Sequence, residues 1–188
     1  MSFHVDKPEY MSIKSIAVFC GSKTGNNPVF EEHARTLAAL LAEKNITIIY
    51  GGGNRGLMGA VANAALDTKG NVIGIIPELL KIQEHMHHSL TETHVTEDMH
   101  SRKKMLYEKC DAAIILPGGY GTMDEVFEML TWNQLEIHSK KIFFMNSAGF
   151  YDHLAAHIKH MHDEGFLYNH PNEQMVIIKE PEELNKYL

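Results

Sequence analysis

The sequence predicts an α/β fold, a single doubly wound, Rossmann-like domain with a central parallel sheet. Three observations predict it. Short apolar runs alternate along the chain with segments of helical length. The runs are apolar throughout rather than on every second residue, as expected of strands covered on both faces. Three of them end in glycine-bearing loops, and in such sheets the loops at the C-terminal strand ends gather along one edge, where ligands bind.

Ser15 to Cys20 reads as the first strand and Pro28 to Lys44 as an amphipathic helix. Ile46 to Tyr50 is a strand, Gly56 to Asp67 an alanine-rich helix, and Val72 to Ile76 a strand stopped by Pro77. Leu79 to Leu90 is polar and irregular, with His85, His87 and His88; Thr93 to Thr96 is a short strand. Asp98 to Lys109 is a helix with Asp98 as its cap. Ala112 to Leu116 is a strand, Thr122 to Leu135 a helix, Lys141 to Asn146 a strand, Tyr151 to Glu164 a helix and Met175 to Lys179 a strand. Pro181 to Tyr187 closes the chain as a short helix with proline at its start. No linker, repeat or low-complexity tract interrupts this order, so residues 1–188 are expected to form one domain, with 1–12 flexible.

Composition narrows the function. A chain of 188 residues, 44% hydrophobic and 22% charged, has the balance of a soluble globular domain. Its 17 basic and 24 acidic residues leave a net charge of -7, which argues against nucleic-acid binding but not against a small anion held at a local positive site. No apolar run approaches the roughly 20 residues of a membrane span. Met1 to Ser12 has no signal-peptide core, so a cytoplasmic location away from membranes is expected. Cys20 and Cys110 read as reduced thiols.

The most informative stretch is Pro117-Gly118-Gly119-Tyr120-Gly121-Thr122-Met123-Asp124-Glu125, a glycine-rich turn between a strand and a helix. Glycines leave backbone N–H groups uncovered, and the helix N-terminus adds unpaired donors and partial positive charge. The pair makes an anion site, and the usual biological anion there is phosphate. Glu125, expected in the first helical turn, repels phosphate and so belongs to the chemistry of whatever the phosphate is attached to. Two further loops, Cys20 to Gly25 and Gly51 to Gly59, end strands on the same edge and contribute Ser22, Gly52 and Gly53 as candidate contacts. Three such loops point to a nucleotide-sized ligand.

Gly51, Gly53 and Gly56 have the spacing of the dinucleotide fingerprint, but it follows the second strand, and no acidic residue ends Val72 to Ile76. A mononucleotide fits better. No phosphate-transferring P-loop is present. Arg102 and Lys103 lie early in a helix, where the dipole disfavours cations; a solvated basic face is the ordinary account, and an anionic ligand the functional one.

Taken together, Pro117 to Glu125, Met99 to Lys103, Tyr50 to Gly59, Cys20-Gly21-Ser22 and Gly74 to Pro77 resemble the LONELY GUY family of cytokinin riboside 5'-monophosphate phosphoribohydrolases. The resemblance runs from about Ser15 to about Leu167. Many members carry an older label, lysine decarboxylase, which finds no support in a pyridoxal-phosphate setting here. The resemblance implies hydrolysis of the N-glycosidic bond of a purine nucleoside 5'-monophosphate to free base and ribose 5-phosphate, without a cofactor. It implies essential roles for Arg102 and Glu125, and substrate contacts at Glu84, Lys103, Thr131 and the turn Gly119, Tyr120, Gly121 and Thr122. It also implies a homodimer. The competing readings are a broader AMP or nucleoside-monophosphate nucleosidase and a non-catalytic nucleotide-binding module, which has no need of both Arg102 and Glu125.

The 13 histidines raise a metal site. His153 and His157 form one pair at same-face helical spacing, and His157 and His160 another. No third ligand and no H-E-x-x-H accompany them, so histidines on a solvated helix are expected and no catalytic metal.

Overall fold

In a computed structural model of the chain, residues 13–82 and 85–188 are described. The expected flexibility of 1–12 falls outside them, as does Glu84. Seven parallel strands form one sheet in the order β4-β3-β2-β1-β5-β6-β7. They are β1 (Ser15–Phe19), β2 (Thr47–Tyr50), β3 (Val72–Pro77), β4 (Glu92–Thr96), β5 (Ala112–Ile115), β6 (Lys141–Met145) and β7 (Met175–Ile178). The helices are α1 (Val29–Glu43), α2 (Gly56–Asp67), α3 (Met99–Lys109), α4 (Tyr120–Gln134), α5 (Asp152–Asp163) and the short α6 (Pro171–Gln174), which the sequence reading did not separate from the loop before β7.

The period-two geometry of a strand divides the core into two layers. Ile16, Val18, Ile48, Tyr50, Ile114, Phe143 and Met145 pack with Leu37, Leu41, Leu57 and Val61 of α1 and α2. Ala17, Phe19, Ile49, Ile115, Ile142 and Phe144 pack with Leu106, Val126, Met129 and Ile158 of α3, α4 and α5. This is why the central strands read as unbroken apolar runs, both faces being covered, whereas the edge strand β4, Glu92–Thr96, is polar and mostly exposed. The order in which strands are added reverses between the parallel neighbours β1 and β5, so their C-terminal ends flank the crevice where this class of sheet takes ligands.

Main-chain bonds tie that edge together. Gly21 N donates to Pro117 O at 3.0 Å, and Leu57 N donates to Gly21 O at 3.1 Å. The Tyr151 hydroxyl donates to Leu116 O at 2.6 Å, holding the strand end from which the glycine turn springs. Elsewhere Ser147 Oγ lies 2.8 Å from His33 Nδ1, and His33 Nε2 lies 3.4 Å from Glu180 Oε2. Ser147 is fully buried, so this Ser–His–Glu chain clips α1 to the turn after β6 and offers a substrate no nucleophile. Among the described residues no helix is long and apolar enough to cross a membrane.

Candidate functional site

The glycine turn works differently from the sequence expectation. Gly118, Gly119 and Gly121 are absent from the residues with positive φ, so none is needed for a left-handed bend. Their role is absence of bulk. A Cβ on Gly118 would lie 2.1 Å from Thr122 Oγ1, whereas a Cβ on Gly119 or Gly121 would meet nothing within 4 Å. The α4 N-terminus is therefore bare on the crevice side. No side chain caps it, so its first N–H groups and the helix dipole are available to an anion.

The helix also begins earlier than expected, at Tyr120 rather than Thr122. This corrects the placement of Glu125, which stands in the second turn. Five residues beyond Tyr120, it lies about 7.5 Å further along the axis at 1.5 Å per residue. The carboxylate is thus set back from the anion position, where like charges would repel.

Facing it is Arg102, in the first turns of α3. Asp98 caps that helix as expected, accepting from Ser101 N at 2.7 Å. Arg102 is only 5% exposed and Glu125 8%. A buried guanidinium needs partners. Arg102 Nε donates to Ile75 O of β3 at 3.1 Å, and Nη2 donates to Gly51 O at the end of β2 at 3.4 Å. Nη2 also stands 3.9 Å from Glu125 Oε1. Cys20, Gly21, Ser22 and Met58 join Arg102, Glu125 and residues 119–122 around a cavity of about 200 Å³. A larger cavity of about 370 Å³, walled by Phe30 and Phe150, adjoins it across Gly21, Ser22 and Gly119.

The structure brings together Ser22, Arg102, Gly119, Tyr120, Gly121, Thr122 and Glu125. It does not bring Lys103 and Thr131 to the same cavity. Adjacent helical residues point about 100° apart, so with Arg102 turned inward Lys103 faces α4, 3.1 Å from Asp124 Oδ2 and 2.9 Å from Glu128 Oε2. Burial alone would lower the Lys103 ammonium, but its hydrogen bonds and charge contacts with Glu128 and Asp124 outweigh this and raise it. Glu128 also accepts from the Tyr107 hydroxyl at 2.8 Å. Burial, and then this bond, push the Tyr107 phenol upward. Lys103 and Thr131 line an open groove on the outer side of α4 instead, and the exposed Tyr120 borders both that groove and the cavity.

Gly52 and Gly53 are placed elsewhere too. Gly52 O accepts from His87 N at 2.9 Å, Asn54 N donates to His85 O at 2.8 Å, and Gly53 pairs with Met86 in an antiparallel bridge. These two glycines anchor the histidine-bearing segment; Gly51, which the sequence offered only within the discounted dinucleotide spacing and not as a contact, is the one that meets Arg102. Met58 was likewise missed, since a methionine in an alanine-rich helix reads as core. Arg55 Nη2 donates to His85 Nε2 at 2.9 Å. His87 is buried, with Nδ1 accepting from Ser89 N and Nε2 3.2 Å from Asn63 Oδ1. Among the described residues no three His, Cys, Asp or Glu side chains group to hold a metal ion.

Fold and site define a class: a doubly wound α/β protein whose crevice holds a bare helix N-terminus and, beside it, a buried Arg–Glu pair. A family model described as "Possible lysine decarboxylase" matches residues 58–188. A cytokinin riboside 5'-monophosphate phosphoribohydrolase of Rhodococcoides fascians is 42% identical over 170 residues, covering 90% of this chain and 86% of the relative. Another, of Arabidopsis thaliana, is 44% identical over 154 residues, covering 82% and 72%. The chain belongs to this family, the cytokinin riboside 5'-monophosphate phosphoribohydrolases. The molybdenum cofactor binding protein of Rippkaea orientalis has a similar structure, with a TM-score of 0.69 at 24% identity over 94% of this chain and 95% of that one. At that identity the likeness is one of fold.

Proposed function

We propose that the protein hydrolyses the N-glycosidic bond of purine riboside 5'-monophosphates, cytokinin nucleotides among them, to free base and ribose 5-phosphate. The observation that carries this reading is the burial of Arg102 and Glu125 together, one step beyond a bare helix N-terminus.

In this reading the 5'-phosphate docks on the first N–H groups of α4, with Ser22 and Thr122 beside it. The ribose then extends along α4 toward Glu125. Breaking the C1'–N9 bond sends its electron pair to the base and leaves positive charge on the ribose ring. The Glu125 carboxylate faces that charge and takes a proton from the water whose oxygen bonds to C1'. Solvent protonates the departing base, and Glu125 returns its proton to solvent, so one water is consumed. Arg102 cannot act as proton donor because it does not deprotonate. It supplies a fixed positive charge against which the negative charge of the leaving base or the phosphate settles.

Product analysis with AMP and isopentenyladenosine monophosphate tests the proposal and ranks the two substrates. Nucleotide binding without base release from either would favour the binding-module reading.

The partner and compartment expectations extend the proposal. A second copy of the chain is the partner proposed for the outer face of α4, where Tyr120 and Phe127 expose apolar surface beside Lys103 and Thr131, with Leu135 and Ile137 exposed just past the helix end. Light scattering on the purified protein distinguishes dimer from monomer. The cytoplasmic expectation rests on Cys20 and Cys110, neither of which is in a disulfide.

A further inference from the structure

We infer that Gly51 is a positioning residue for Arg102: the missing side chain at the end of β2 is what lets the guanidinium sit in the catalytic pocket beside Glu125. The inference rests on the proposed role of Arg102 in hydrolysis.

The glycines of this edge fall into three kinds by what a Cβ would meet. At Gly119 and Gly121 it would meet nothing within 4 Å. At Gly56 and Gly59 it would meet backbone, 2.4 Å from Lys23 N in one case and 2.6 Å from Asn54 O in the other. Gly51 belongs to neither kind. Its Cβ would lie 2.1 Å from Arg102 Nη2 and 3.3 Å from both Arg102 Cζ and Met58 Sδ. Gly51 is not among the residues with positive φ, so no backbone conformation demands glycine there. What demands it is the far end of one flexible side chain.

A methyl group at position 51 is therefore accommodated by moving the guanidinium rather than the fold. That movement breaks the Nη2 bond to Gly51 O and changes the 3.9 Å approach to Glu125 Oε1. The Nε bond to Ile75 O is strained with it. Gly51 touches no substrate in this arrangement and acts wholly through Arg102.

Gly51→Ala tests this. The variant is expected to keep its Tm within about 3 °C of the wild type, since the clash falls on a movable group. Its kcat for AMP should fall at least about a hundredfold from misplacement of the cation. Its Kd for ribose 5-phosphate, set by the α4 N-terminus, should change less than about threefold. The Arg102 Nε–H resonance in a nitrogen–proton NMR spectrum, assigned by its loss in Arg102→Lys, should move. In the Arg102→Lys background, where no fork occupies the space, Gly51→Ala should cost less than about twofold more. An unmoved resonance with unchanged kcat would overturn the inference. So would an equal loss in both backgrounds accompanied by a fall in Tm, which would make Gly51 a packing residue. If the wild type releases no base from any nucleotide while the resonance still moves, the hydrolase reading fails and the positioning stands.

Discussion

The Arg102 guanidinium stops 3.9 Å short of the Glu125 carboxylate. That gap is too long for a hydrogen bond and short enough for the two charges to attract. In the proposed mechanism the Glu125 carboxylate meets water and the ribose ring, which a closed ion pair with Arg102 would oppose. The two carbonyls that hold Arg102, from Ile75 and Gly51, keep it from closing that gap.

Removing the charge of Glu125 while keeping its shape should therefore separate chemistry from binding. Glu125→Gln is expected to lower kcat about a hundredfold to ten-thousandfold, the range for a positioned acid–base group. Ribose 5-phosphate should still bind, because the proposed phosphate position on α4 lies a turn earlier. Calorimetry beside product analysis checks both halves; a variant that keeps wild-type turnover would remove Glu125 from the mechanism.

The open space at Gly121 gives a second prediction. Gly121→Ala adds a methyl where nothing lies within 4 Å, so stability should be unaffected, and only the approach of phosphate to the helix N-terminus should suffer. KM for AMP should rise at least about tenfold, a cost of about 1.4 kcal/mol. Adenosine, which has no phosphate to seat, should be a poor substrate for either protein. Equal use of AMP and adenosine by the wild type would contradict the assignment of this turn.

Gly56→Ala should do the reverse. Gly56 has φ +55°, and a Cβ there would lie 2.4 Å from Lys23 N and from the Ser22 carbonyl carbon. Backbone must shift, and a loss of about 2 kcal/mol is expected. For a chain of this size that lowers Tm by about 4–8 °C, readable by calorimetry.

The histidine-bearing segment should loosen in acid. Burial first, and then the neighbouring His88, push the His87 imidazole below the ordinary histidine value. The groups facing it are Asn63, the Ser89 N–H and His88, while Arg55 faces His85. With the folded pKa below the unfolded one, the neutral ring contributes stability fully above the unfolded value of about 6.5, and the contribution is lost as pH falls through the folded value. Protection of the His87 and Asn54 amides against hydrogen exchange, corrected for intrinsic rates, should fall between about pH 7 and pH 5. Constant protection would mean that the segment is not held by the neutral imidazole.

The central strands were legible because burial on both faces leaves an unbroken apolar run, and the order of helices followed from them. The motifs picked out Arg102 and Glu125, which the structure brings to one cavity. What the sequence hid was orientation. Lys103 stands beside Arg102 in the chain yet turns to Asp124 and Glu128, because one residue of helix is a rotation of about 100°. Choosing Gly51 over Gly52 and Gly53 required knowing that α3 lays an arginine across the ends of β2 and β3, a contact 51 residues distant along the chain. The earlier start of α4 escaped notice because glycine is a poor helix former, and only the tertiary setting overrides that preference.

The bonds from Gly21 to Pro117 and Leu57 run from main chain to main chain. Bonds of that kind are indifferent to side-chain identity. Lys23 and Thr24, which wall the larger adjoining cavity but not the one around Arg102 and Glu125, are therefore free to change without loosening the rim that carries them. A protein built this way can vary the wall of that cavity by small steps in one short loop while Arg102 and Glu125 stay in place, and saturation of those two positions is the natural starting library for redirecting its ligand preference.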